Sequence, residues 1–311
     1  MLMTDKYEGK FLRFYDKNND KKHILETFID TEKETGKELL SWDNEQVNIF
    51  LKRINSKSPQ TLNKAMVALR KFADFICKRE KLSKREYPID DGVFLGLIDR
   101  EHLLSVTLSY QQYLTIKNQL NMEGMNVRDR LIFELAWVGL TAEEIKMLKV
   151  SDIEFTTSDI GLDVAILNLS SKVVRIEDSE IIEDIKLCSE EKYNMVVINE
   201  TRVNKMLYKE SEYLIKPINI GKGTEKTYLN NPEITFQNVI KKNNITCKGI
   251  DMSRLSLEDI RRSKLIYLLA PENKKFFDRK TVSGIFNFKA PTSLKWLEKI
   301  AEEKYPEEKK E

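Results

Sequence analysis

The sequence predicts a mainly α-helical chain with a small antiparallel sheet, divided into two domains. Three observations predict it. Over most of the 311 residues, apolar side chains recur at helical spacing behind residues that cap helix starts. The period drops to two only between Gly161 and Ile198. Between these regimes, Lys81 to Arg100 is a charged stretch with Pro88, Gly92 and little periodicity, which reads as a linker. We place a helical domain at 1–85, the linker at 86–104 and the second domain at 105–311.

The elements follow in order. Asp20 to Gly36 reads as a helix with Ile24, Leu25, Phe28 and Ile29 inward and Gly36 as its stop. Asp43 caps the next, where Val47, Phe50, Leu51 and Ile54 fall at i, i+3, i+4, i+7. Ser58-Pro59 starts a third, with the stripe Leu62, Ala65, Met66, Leu69, Phe72, Ala73 and Ile76. Beside that stripe Lys64, Lys71 and Lys78 recur every seven residues, joined by Arg70 and Arg79. Taken alone, these cations describe a solvated helix face.

In the second domain, Ser109 with Gln112 caps a helix reaching Leu120. The stretch Arg128 to Phe155 is a helix with Leu131, Ile132, Leu135 and Ala136 on one face, a stop at Gly139, and a capping box of Thr141 with Glu144. It continues as a second helix that packs Ile145, Met147 and Leu148, and leaves as an extended run from Val150. Val164 and Ile166, then Val173, Val174 and Ile176, are strands joined around Ser170-Ser171-Lys172, and Met195 to Ile198 is a further short strand. Ser256 with Asp259 caps a helix that buries Leu257, Ile260, Leu265, Leu268 and Leu269 before Pro271. A last helix, Thr292 to Lys304, carries Leu294, Leu297 and Ile300.

Composition narrows the chemistry. With 33% charged and 41% hydrophobic residues the chain is a globular one rather than a disordered one. Net charge is +2, so any nucleic-acid surface must come from local clustering. No apolar run reaches the length of a membrane span and the charged N-terminus is not a signal peptide, so a cytoplasmic protein without a membrane partner is expected. Cys77, Cys188 and Cys247 are scattered, and His23 and His102 are the only histidines; zinc sites and histidine-based triads are thereby disfavoured. Gly221-Lys222-Gly223 lacks the continuation of a phosphate loop and reads as a flexible loop. No cofactor, metal or small-molecule substrate is expected.

The Arg128–Phe155 stretch resembles the opening of the catalytic domain of tyrosine recombinases, the phage integrases. There a helix ends in Gly-Leu-Arg and the next carries Glu-Leu before a Ser-Asp-Ile strand. Gly139-Leu140, Glu144-Ile145, Leu148 and Ser151-Asp152-Ile153 stand in those places, and Thr141 stands where the family has its first catalytic arginine. Ser58 to Glu80 is similar to the helical core-binding domain, a small SAM-like domain that in this family clamps one side of a duplex. The resemblance, spanning about residue 20 to 300, implies a two-domain recombinase-like architecture.

It also implies roles. Lys64, Arg70 and Lys71 become DNA contacts, and Lys172 stands nearest to the family's lysine on the turn between the second and third strands. The family's His-x-x-Arg box falls on Glu258 and Arg261, followed by Arg262. Arg254, Arg261, Arg262 and Lys264 lie within eleven residues and are candidate DNA contacts. Arg261 pairing with Glu258 or Asp259 within the helix is the structural alternative. Asn287-Phe288 occupies the Gly-His position, and the window for the nucleophile, Thr292 to Trp296, holds no tyrosine; Tyr305 and Tyr267 are the nearest.

Recombinases attack a phosphodiester with a tyrosine oxygen while two arginines hold the charge that develops on the phosphate oxygens. Here an arginine, both histidines and the expected nucleophile are missing together, and Glu258 would repel the phosphate. The expectation is therefore a catalytically degenerate member that binds duplex DNA at specific sequences. A transcriptional repressor of phage or mobile-element origin, concerned with lysogeny and residing with the bacterial nucleoid, is the form expected. It resembles the recombinase-fold repressors of SPβ-like Bacillus phages. A second copy or a regulatory protein would be its further partners. An atypical integrase using Tyr305 or Tyr267, and a protein-interaction module without DNA, are the alternatives.

Overall fold

The computed structural model describes residues 6–7, 22–56, 59–84, 87, 100–122, 125–199, 202–218, 227–287 and 294–305. Asp20, Ser58, Pro88, Gly92, the Gly221-Lys222-Gly223 loop, Phe288 and Thr292, all named above, lie outside them. The chain divides into two compact units, Met1–Leu103 and Leu104–Glu311.

The first unit is built on helices α1 (Lys22–Thr35), α2 (Asn44–Ile54) and α3 (Pro59–Glu80). Gly36, at φ 65°, ends α1. Asp43 caps α2 by accepting from the Glu45 amide, while the Gln46 side chain returns to the Asp43 amide at 3.1 Å. The stripe predicted for α3 is buried throughout. It meets an aromatic cluster in which Phe28 lies 4.7 Å from Phe50, 5.8 Å from Phe72 and 6.2 Å from Trp42, ring centre to ring centre. Burying each such ring contributes about 2–3 kcal/mol, so this cluster supplies much of the unit's stability.

A six-residue helix, α4 (Arg100–Ser105), spans the division between the units, so residues 100–104 of the expected linker are helical.

The second unit surrounds helix α6 (Val127–Trp137), packed by α5 (Tyr110–Leu120), α7 (Ala142–Met147), α8 (Ser179–Glu190), α9 (Pro232–Lys242) and α10 (Leu257–Leu268). From Arg128 onward every residue of α6 except Arg130 is buried. A helix covered on all sides must neutralise its polar residues internally. Arg128 pairs with Asp129 at 2.7 Å, Glu134 with Lys117 of α5 at 3.2 Å, and Arg130 with Asp184 of α8.

Strands β1 (Ile153–Thr157), β2 (Asp163–Asn168) and β3 (Val173–Ile176) form an antiparallel sheet in the order β1-β2-β3. Ile153 pairs with Leu167, and Leu167 with Val174. β4 (Tyr193–Asn199) and β5 (Arg202–Leu207) make a separate antiparallel hairpin. Helices α11 (Arg279–Ile285) and α12 (Lys295–Lys304) complete the unit, α12 against α10. Two local expectations fail. Val150–Asp152 is a 3-10 turn rather than extended chain, because the Asp152 carboxylate folds back onto the Lys149 amide at 3.0 Å. Met147, expected to pack, is 42% exposed, because α7 is only six residues long and buries Ile145 alone.

Candidate functional site

The two stretches singled out in the sequence meet at the carbonyl of Gly139. That residue ends the α6 segment at φ 109°, where an L side chain is strained, and a β-carbon there would lie 3.2 Å from the Phe286 ring. With no side chain in the way, the Gly139 carbonyl accepts from Lys172 Nζ at 2.8 Å and from Arg261 Nε at 3.0 Å. Lys172 arrives on the β2–β3 turn, closed by the Leu169 amide on the Lys172 carbonyl at 3.0 Å. Arg261 arrives from the second turn of α10, whose start is fixed by the box of Ser256 and Asp259.

Each cation has a carboxylate. Lys172 Nζ lies 3.3 Å from Glu144, and Arg261 Nη1 3.2 Å from Glu258. Glu144 is held three ways: by the Thr141 amide at 2.8 Å, by the Ser171 hydroxyl at 2.9 Å and by Lys172. Arg261 also donates from Nη2 to the Phe286 carbonyl at 2.9 Å, and its guanidinium faces the Phe286 ring at 5.3 Å. Asn287, which the sequence resemblance sets at the Gly-His position, follows with φ 55°. Thr141 accepts a hydrogen bond from the Glu144 amide at 3.2 Å; it is a helix cap and carries no charge.

Burial sets the electrostatics. The Lys172 side chain is 5% exposed, and burial, with Arg261 adding, depresses its amine more than Glu144 raises it. Burial would raise the Glu144 carboxyl, but the Thr141 amide and Lys172 outweigh it and hold Glu144 below the usual glutamate range. The cluster is thus a closed network of two cations and two carboxylates, Arg261 being 12% exposed and Glu258 the most open member.

The other predicted cations are dispersed. Arg262 pairs with the buried Asp259 at 2.9 Å. Lys264 is half-buried, its amine 5.1 Å from the Tyr267 ring centre and 5.4 Å from that of Trp137. Arg254, in the turn before α10, is 64% exposed and lies 3.4 Å from Asp251. In the first unit Lys64, Arg70, Lys71, Lys78 and Arg79 are all on the exposed side of α3, whose two carboxylates, Asp74 and Glu80, are half-buried. Arg70 donates to the Tyr87 carbonyl at 3.0 Å, and Arg79 covers the Phe75 ring.

Tyr267 and Tyr305, the tyrosines nearest to the window where the resemblance sets a nucleophile, share an aromatic group. Tyr267 stacks on Tyr110 at 5.4 Å and meets Tyr305 edge-on at 6.0 Å; the Tyr305 hydroxyl donates to the Leu108 carbonyl at 3.4 Å. Burial raises the Tyr305 phenol. Among the described residues, no group of His, Cys, Asp and Glu is arranged to hold a metal ion, and no helix is long and apolar enough to cross a membrane. Sequence reasoning read Glu144 as a capping residue only and missed it as the counter-ion of Lys172. It also missed the Phe286 carbonyl, which no side-chain pattern announces.

No protein-family model matches the chain, and no curated protein matches it. Solved structures do. The Tn1549 transposon integrase in complex with transposon right-end DNA is similar over 98% of this chain and 95% of that one, with a TM-score of 0.53 and 11% identity. The same integrase with a circular-intermediate DNA gives a TM-score of 0.52 at 13% identity, over 98% and 95% of the two chains. The XerH site-specific recombinase bound to palindromic difH substrate, a post-cleavage complex, covers 90% of this chain and 75% of its own, with a TM-score of 0.52 and 16% identity. The fold is that of the tyrosine recombinases and integrases.

Proposed function

We propose that this chain binds duplex DNA at specific sequences without cutting it, as a transcription regulator of phage or mobile-element origin, most simply a repressor. One observation carries the reading. The place of the first catalytic arginine holds Thr141, which caps a helix, and the two cations left in the cluster, Lys172 and Arg261, are already held by Glu144 and Glu258. A phosphodiester entering there would have to displace a carboxylate. Losing a single preorganised donor to a developing oxyanion typically costs about 10²–10³ in rate, and no tyrosine stands between Thr292 and Trp296 to form the covalent intermediate.

Binding asks for less. Cations on phosphates supply affinity, and a few contacts to base edges supply sequence preference. The exposed face of α3 and Arg254 offer the former, and the DNA-bound integrase and recombinase of the same fold support a duplex as the ligand. The test is selection of fragmented host and mobile-element DNA by the purified protein, followed by sequencing. One short motif recurring upstream of genes is the expected result. No enrichment would overturn DNA binding and favour a protein-interaction module.

The fold of active recombinases keeps an integrase as the second reading. Trapping on nicked DNA tests it. An adduct lost in Tyr305→Phe or Tyr267→Phe would establish cleavage; the raised Tyr305 phenol, already donating to Leu108, predicts none.

A further inference from the structure

A cleft of about 430 Å³ opens in the second unit, beside the cluster and sharing Phe286 with it. Its walls include Tyr110, Tyr113, Trp137, Ile181 and Phe286, and Lys264 reaches into it. The size falls in the range of small-molecule sites, whose usual chemistry is apolar and aromatic walls with a few placed polar groups; the charged residues here are Lys264, Arg175, Glu177 and Asp178.

Lys264 is the unusual member. Its ammonium rests on the Trp137 and Tyr267 rings, and burial depresses its amine, only Asp178 opposing this. The two carboxylates that line the cleft are engaged elsewhere. Glu177 holds Arg175 at 2.8 Å. Asp178 caps α8 by accepting from the Glu180 and Ile181 amides at 3.1 and 3.2 Å, and lies 3.9 Å from Lys117. Among the described residues, Lys264 therefore has no carboxylate of its own within ion-pair distance. An enclosed cation left on π-faces gains most from an anion brought in with the ligand.

We propose that this cleft binds an apolar aromatic carboxylate, its ring against the wall to which Tyr110, Tyr113 and Trp137 contribute and its carboxylate on Lys264. The site stands independently of DNA binding.

The test is calorimetric titration of the full chain with 2-naphthaleneacetate and with its neutral analogue 2-naphthaleneethanol. The acid is expected to bind at least about tenfold more tightly than the alcohol, which corresponds to one good charge-assisted contact. Lys264→Met keeps the apolar stem on the rings and is expected to bring the two affinities together. Ile285→Trp, at a half-buried wall position, is expected to abolish both. Thermal melts establish that each variant is folded. Equal binding of acid and alcohol by the unaltered chain, a preference that persists in Lys264→Met, or no binding of either compound would each overturn the proposal.

Discussion

Glu134 is fully buried in the second half of α6, and among the described residues its ion-pair cation is Lys117, shared with Glu180 at 2.7 Å and Asp178 at 3.9 Å. Burial first, and Asp184 next, push its carboxyl up to about 8. In the unfolded chain the same group ionises near 4.5. Between these values the folded state binds the extra proton, so the contribution is fully present below pH 4.5 and is lost as pH rises toward 8. Stability to urea should therefore fall across that window by an amount on the order of a few kcal/mol. Glu134→Gln, which stays neutral, should flatten the curve. An unchanged slope in the variant would place the pH dependence elsewhere. Nothing in the sequence around Glu134 announces this, because its partners come from α5 and α8, far along the chain.

At the scale of elements, legibility follows the distance over which the signal acts. The caps at Asp43, Ser109, Thr141 and Ser256 involve residues at most three apart, and each is present as the sequence predicts. The sheet was legible in β2 and β3 from alternation. Helix α8 is absent from the sequence reading although Asp178 caps it and Ile181, Ile182, Ile185 and Cys188 are buried at helical spacing. In the site, Lys172 and Arg261 were found through the resemblance, but Glu144 closing onto Lys172 is a tertiary event between a helix and a turn, with no local pattern. The Thr141 cap is a measurable part of that arrangement. Thr141→Ala should lower stability by about 1 kcal/mol, the usual cost of losing a threonine cap. It should also loosen Glu144, since the helix start that orients it is the one the hydroxyl fixes. Urea denaturation measures the first effect; a loss under about 0.3 kcal/mol would mean the 3.2 Å hydrogen bond is idle.

For the whole molecule, a net charge of +2 means that the proposed affinity for DNA would come from where the cations sit rather than from how many there are. Exposed lysines on α3 and Arg254 before α10 lie in different units, while Lys172 is enclosed with Glu144. If both units hold one duplex, each surface contributes its own released counterions, about 0.9 in the slope of log affinity against log salt per phosphate held. Anisotropy titrations of a retained fragment between about 50 and 200 mM salt give that slope. Lys64→Gln with Lys71→Gln should reduce its magnitude by about 1.8, and Arg254→Gln by about 0.9. The triple variant should lose the sum, because distant sites without shared partners add. Lys172→Gln should leave the slope as it was, since its charge is already neutralised within the fold. A slope untouched by the α3 substitutions would confine the DNA surface to the second unit; a slope reduced by Lys172→Gln would mean that DNA displaces Glu144 and enters the cluster after all.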